Sequence, residues 1–266
     1  MTATDMRAST AAALSPARRL RDVLASEWTK LSSVRSTMWS LLIAAVTALG
    51  GSVILAFSAA GGAKQPFDPL ASIYVAWLEY PVLAIGILGV LAFTSEFSTG
   101  QIRTTFVAVP RRGAVLAAKA AVIGALALVF GEALSFIAFF VSEAILSGHH
   151  RGLSAGQPGV FGAVLAGGVA LCAIALLGVA LGAIIRHTAA AVAALPALLY
   201  LPLVVSSLPS PWNTSIGRFT MLMAAYQTVA LHPQADLLSP ALSMVVVLAW
   251  PAAALVLAAA LVNRDI

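Results

Sequence analysis

Several runs of 18 or more consecutive residues in this chain carry no charged side chain, and no other feature limits its possible folds so tightly. Met38–Ala60 alone is an uncharged run of 23 residues. As an α-helix rising about 1.5 Å per residue it would extend roughly 35 Å, enough to cross a bilayer. Charged residues make up 9% of the chain and hydrophobic ones 61%, whereas soluble domains carry about 25% charged residues. A water-soluble core is therefore the wrong class. The strict alternation that a membrane barrel needs is absent as well. The expected fold is an all-α integral membrane protein with six transmembrane helices.

Taken in order, residues 1–15 are small and polar without periodicity and are expected to be disordered. From Pro16, Leu20, Val23, Leu24, Trp28, Leu31 and Val34 recur at three- and four-residue steps, while Arg18, Arg21, Asp22, Lys30 and Ser33 fall largely off that stripe. A basic amphipathic helix with a Trp, directly ahead of a span, is expected to lie in the headgroup plane. The spans are expected at about 38–60, 70–93, 115–146, 160–185, 189–208 and 240–262, within one transmembrane domain over 16–264. A cleaved signal peptide ending near Ser58-Ala59-Ala60 is disfavoured, because the preceding segment and the apolar run are both too long.

Details of the spans add to this. Gly61–Pro69 reads as a turn-rich loop. Tyr74, Trp77 and Tyr80 group at the start of the second span as an interfacial aromatic belt, with Glu79 in the same zone. The third run is too long for one perpendicular crossing, so its first turns, including Lys119, are expected to stand proud of the membrane. Gly178 and Gly182 stand in small-xxx-small spacing, which predicts close helix packing of the fourth span. Arg186-His187-Thr188 makes a tight turn into the fifth span, which Pro196 and Pro202 should kink. Residues 209–239 hold Ile216, Phe219, Leu222, Tyr226 and Val229 at helical steps, fitting an amphipathic or re-entrant helix.

The formal charge is +5, which by itself would admit nucleic acid as a partner. Twelve of the 15 Lys and Arg residues, however, fall on one side of the expected topology, against Lys64, Arg151 and Arg218 on the other. That asymmetry predicts cytoplasmic N- and C-termini and a multi-pass protein of the plasma membrane; topology, and not nucleic acid, explains the charge.

The most polar internal stretch, Ser95–Thr105, lies between the second and third spans on the predicted cytoplasmic side. Ser98 or Thr99 is expected to N-cap a helix beginning near Gly100, and Pro110 to end it. Ile102, Phe106 and Val109 would share one face with Arg103 beside it, and Arg111-Arg112 suits anionic headgroups or a protein partner.

No G-x-S-x-G, H-E-x-x-H or G-x-x-x-x-G-K-[ST] motif occurs, so no resident enzyme is expected. The single cysteine, Cys172, excludes an intrachain disulfide and a Cys-cluster metal site. His149 and His150 with Glu143 suit a solvated loop better than a metal site, and no metal is expected. Glu132 falls near the expected bilayer midplane, where a carboxylate costs about 2.5–3.5 kcal/mol even on the lenient insertion scale. It either lines a transport pathway, carries a proton, or holds helices together as a neutral hydrogen-bonded group.

Three blocks together resemble the actinobacterial branch of the ABC-2 type transporter permeases. Ser26–Thr37, which reads SEWTKLSSVRST, is similar to that family's N-terminal interface-helix signature. The stronger match is Thr94–Thr105, TSEFSTGQIRTT, continuing to Val109-Pro110-Arg111-Arg112 and Ala117-Ala118-Lys119. Leu181–Ala189, LGAIIRHTA, resembles a third block, although alanines follow where relatives tend to carry a glycine. The resemblance covers about residues 16–264.

It implies a six-span half-transporter that pairs with a second permease copy in a homodimer or heterodimer, each half bound to a separate cytoplasmic ATPase that carries the ATP and magnesium. Glu27, Trp28, Lys30, Leu31 and Arg35 would belong to the interface helix. The coupling segment would comprise Glu96, Phe97, Ser98, Thr99, Gly100, Gln101, Ile102, Arg103, Phe106, Arg111 and Arg112. Short outer helices would sit between spans five and six. The resulting expectation is the permease of an ATP-driven exporter. The alternative is a stand-alone secondary transporter using Glu132 as its proton site, for which no inverted repeat is visible.

Overall fold

The computed structural model describes residues 16–61, 81–100, 112–149, 156–230, 234 and 236–264. The expected disordered start, the loop after the first span and the aromatic belt with Glu79 lie outside the described residues. So do Gln101–Arg111, His150, Arg151 and His232.

Every described element is a helix. In chain order these are α1 (Pro16–Ser33), α2 (Arg35–Ala60), α3 (Pro81–Ser98), α4 (Arg112–Ser147) and α5 (Val160–Ile185). Then follow α6 (Thr188–Leu199), α7 (Leu201–Val205), α8 (Trp212–Gly217), α9 (Met221–Val229) and α10 (Pro240–Arg264). Five of them, α2, α3, α4, α5 and α10, are long and apolar enough to cross a membrane.

The core forms around α5, which packs on α3, α4, α6, α9 and α10. Its sequence explains the role, since small residues on all sides let five neighbours approach its backbone. A Cβ on Gly178 would stand 2.1 Å from the carbonyl oxygen of Gly86, and one on Gly89 would stand 2.1 Å from that of Ala175. The α3–α5 contact is thus backbone against backbone, reading Gly86 and Gly89 into Gly178 and Ala175. The expected close packing at Gly178 and Gly182 is present, with Gly182 facing the Val90 carbonyl. Between α4 and α5, Ser135 Oγ donates to the Val164 carbonyl at 2.7 Å and Cys172 Sγ to that of Gly124 at 3.3 Å.

Helix α5 ends where Arg186 turns left-handed at φ 58°, with its amide bonded to the Gly182 carbonyl at 3.0 Å. His187 then caps α6 by accepting from the Ala190 amide. The fifth expected span is not one helix. It divides at Tyr200 into α6, of 12 residues, and α7, of 5. Pro202, in the first turn of α7, has no N–H to continue the α6 ladder, so the break falls just before it. Pro196 is absorbed inside α6.

Among the described residues, the segment from 209 to 239 holds two short helices, α8 and α9, and α9 packs on α5 and α10. Trp250 of α10 donates its indole N–H to the Phe219 carbonyl at 2.9 Å. Helix α4 runs unbroken for 36 residues, and it packs on α1. Lys119, in its first turns, is 4% exposed.

Candidate functional site

At the end of the bundle where α1 lies, four charged side chains close a ring. Lys30 Nζ lies 2.7 Å from Glu27 Oε1 and 2.9 Å from Glu96 Oε1. Lys119 Nζ pairs with Glu27 Oε2 and lies 2.9 Å from Glu96 Oε1. Glu27 and Lys30 come from α1, Glu96 from the last turn of α3, and Lys119 from the third turn of α4. The ring therefore fastens three elements that are 66 and 92 residues apart along the chain.

Glu27, Glu96 and Lys119 are buried, and only Lys30 reaches solvent. Two carboxylates facing two ammonium groups sum to zero, which makes their joint burial tolerable where any one alone would be prohibitive. Burial by itself would lower the Lys30 ammonium. Hydrogen bonds and charge from Glu27 and Glu96 outweigh that and hold it above its ordinary value. Glu96 Oε2 is buried and has no hydrogen-bond partner among the described residues.

The neighbouring residue extends the junction to a fourth element. The Phe97 ring lies 5.6 Å from that of Phe93, and the Arg186 guanidinium sits 5.9 Å from its centroid. Arg186 is the left-handed residue between α5 and α6, so its backbone shape aims the side chain back toward α3. An aromatic face at this distance attracts the cation.

The described part of the polar stretch closes α3. Ser98 ends α3, and the hydroxyls of Ser98 and Thr99 donate to the Ser95 carbonyl at 2.9 and 2.8 Å. Both hydroxyls therefore satisfy the C-terminus of α3; the helix they were expected to cap lies outside the described residues. Gly100, at φ 74°, is the left-handed residue that typically follows a helix end. Gln101, Ile102, Arg103, Phe106 and Arg111 lie outside the described residues, and Arg112 is the first residue of α4.

In α1, Leu31 is half-buried, whereas Trp28 at 53% and Arg35 at the start of α2 are exposed. The inward face of α1 is thus centred on Glu27 and not on Trp28. Glu132 is not part of this junction. It sits mid-way along α4 with its carboxyl against Gly168 of α5, where a Cβ would stand 2.4 Å from Glu132 Cδ. Its Oε2 also has no partner among the described residues.

Sequence reasoning missed Lys119 and Arg186 as members of the site. A signal was present: Glu27, Lys30, Glu96 and Lys119 all flank apolar runs on one side of the topology, and their charges balance. No group of three His, Cys, Asp or Glu side chains among the described residues is placed to hold a metal. The four side chains of the ring bond one another and tie α1, α3 and α4 together.

Together, the fold and this junction define a multi-pass, all-α membrane protein. No family model matches the chain. No curated protein matches it either.

Proposed function

We infer that this chain is the membrane-spanning permease of an ATP-binding cassette exporter, driven by a separate cytoplasmic ATPase that binds ATP and magnesium. The observation that carries the reading is the fastening on both sides of the 101–111 segment. Glu96 and Phe97 precede that segment and Lys119 follows it; all three are bonded into one junction with α1 and the α5–α6 turn. A partner pressing on the segment would shift α1, α3, α4 and α5 together, which is what coupling to a nucleotide-driven subunit requires. The resemblance of Ser26–Thr37 and Thr94–Thr105 to the ABC-2 type permeases supports the same role. In this reading the junction faces the cytoplasm, both termini lie there, and a second permease copy completes the pathway in the plasma membrane.

Co-purification with the tagged chain should recover an ATPase subunit. Arg103→Glu should then abolish stimulation of that ATPase while membrane insertion stays intact. Normal stimulation and transport in this variant would remove the coupling role from the segment.

A further inference from the structure

Between α1, α2 and α3 a cleft of about 490 Å³ opens beside the charged ring. We propose that it binds one phospholipid carrying a primary ammonium headgroup, of the ethanolamine type, drawn from the surrounding bilayer. The proposal needs only the apolar helices to sit in a membrane and does not depend on the transporter reading.

Three features of the cleft fit three parts of such a lipid. Helix α2 begins at its wall: Val34 occupies the cap position with no side-chain cap hydrogen bond, and Val34, Ser36 and Thr37 line the space. The first amides of a helix have no i−4 acceptor. That of Thr37 already donates to the Val34 carbonyl at 3.1 Å, which leaves those of Arg35 and Ser36. The start of a 26-residue helix attracts phosphate. Lys30 also lines the cleft, and its ammonium has three donors of which two are spent on Glu27 and Glu96. A phosphate is therefore met by backbone N–H groups and one cation.

The opposite wall carries Glu96, which is 3% exposed and whose Oε2 has no hydrogen-bond partner among the described residues. A buried carboxylate oxygen without a donor is costly. A simple anion would leave it unmet, whereas a primary ammonium next to the phosphate would donate to it. A quaternary choline group has no N–H and could not, so the cleft should distinguish the two headgroups.

Apolar Leu31, Leu88, Leu91 and Ala92 also line the cleft, and beyond it the outward face of α2 continues with Met38, Trp39 and Leu42, all at least half exposed. The volume suits a headgroup and glycerol, within the range of small-molecule sites. The acyl chains would then lie along α2, which is why the source is the bilayer and not a soluble phosphoamine.

The test is native mass spectrometry of the full-length protein released from nanodiscs holding equal amounts of phosphatidylethanolamine and phosphatidylcholine with matched chains. Wild type should retain one ethanolamine lipid at least tenfold over choline lipid. Equal retention would overturn the proposal. Because Glu96→Gln disturbs the ring and risks misfolding, Ser36→Asp is the second variant: a carboxylate in the first turn favours the helix itself but repels phosphate. It should lose the retained lipid with unchanged helicity; retention as in wild type would overturn the phosphate assignment. Glycerophosphoethanolamine added from solution should fail to displace the lipid. Displacement at comparable concentration would assign the cleft to a soluble ligand and refute the bilayer source.

Discussion

Replacing Lys119 with Met removes the buried cation that faces both carboxylates of the ring and keeps most of its side-chain volume. Lys119, Glu27 and Glu96 are each less than 5% exposed, so water cannot take over. Removing one partner from a buried pair costs about 3–5 kcal/mol, most of it from the charge left behind. Lys30 still bonds both carboxylates, which places the expected loss for Lys119→Met toward the lower end of that range. Glu96→Gln keeps an acceptor for both lysines and should cost about 1–3 kcal/mol. In the double variant the ring reduces to the neutral Glu27–Lys30 pair within α1, so its loss should fall short of the summed single losses by about 1–3 kcal/mol. Equilibrium unfolding by titrating a denaturing detergent against a mild one, followed by circular dichroism, measures all four corners of this cycle. Additivity to within about 0.5 kcal/mol would refute the ring as an energetic unit. A Lys119→Met loss below about 1 kcal/mol would mean that the ammonium is solvated.

Further expectations follow from other contacts. Gly89→Ala puts a Cβ 2.1 Å from the Ala175 backbone oxygen; the helices must separate, and overpacking of this kind costs about 1–3 kcal/mol in the same unfolding assay. Phe97→Leu should lose about 0.5–1 kcal/mol of cation–π attraction to Arg186. Arg186→Met should cost less by that amount in the Phe97→Leu background than in wild type, the remainder reflecting its other bonds, such as that to the Ala183 carbonyl. The Lys30 ammonium is held above its ordinary value of 10.5, so its contribution is complete below that pH and is lost as pH rises through the folded value. Alkaline titration of stability should show that decline in wild type and not in Lys30→Met; the partial exposure of Lys30 keeps the effect small. Glu132→Gln should alter transport with assembly preserved if the carboxyl serves a pathway, and Gly168→Ala should be rescued in part by Glu132→Ala, read out as folded yield.

The sequence made some of this legible and hid the rest for identifiable reasons. Helix α5 was expected at Val160–Ile185 and is found there, because an uncharged run bracketed by Gly159 and Arg186 leaves its ends little freedom. Helix α10 likewise starts at Pro240, the expected residue. Lys119 was expected in first turns that stand proud of the membrane because the third run is too long for one crossing, and that length says nothing of an ionic partner. Its partners are on other helices, and only the tertiary structure reveals them. Ser98 and Thr99 were read as starting a helix; Ser-Thr-Gly also ends one, and the left-handed Gly100 marks the end of α3. Trp28 dominated the apolar stripe of α1 by size alone, whereas the buried position of that helix went to Glu27. The division of the fifth span at Tyr200 was only half visible, since Pro196 and Pro202 both predicted a kink but only Pro202 breaks the helix.

The glycine contact between α3 and α5 has a mechanical consequence. Two helices whose backbones touch, with carbonyls seated where side chains would be, have no compliant layer between them to absorb displacement. Side chains elsewhere in the bundle can change rotamer and act as springs; at Gly86–Gly178 and Gly89–Ala175 there are none to yield. Helices α3 and α5 should therefore travel as a single stiff beam. Whatever flexing this protein undergoes must be taken up at its margins, in the sparsely packed α2 and α10 and at the break between α6 and α7.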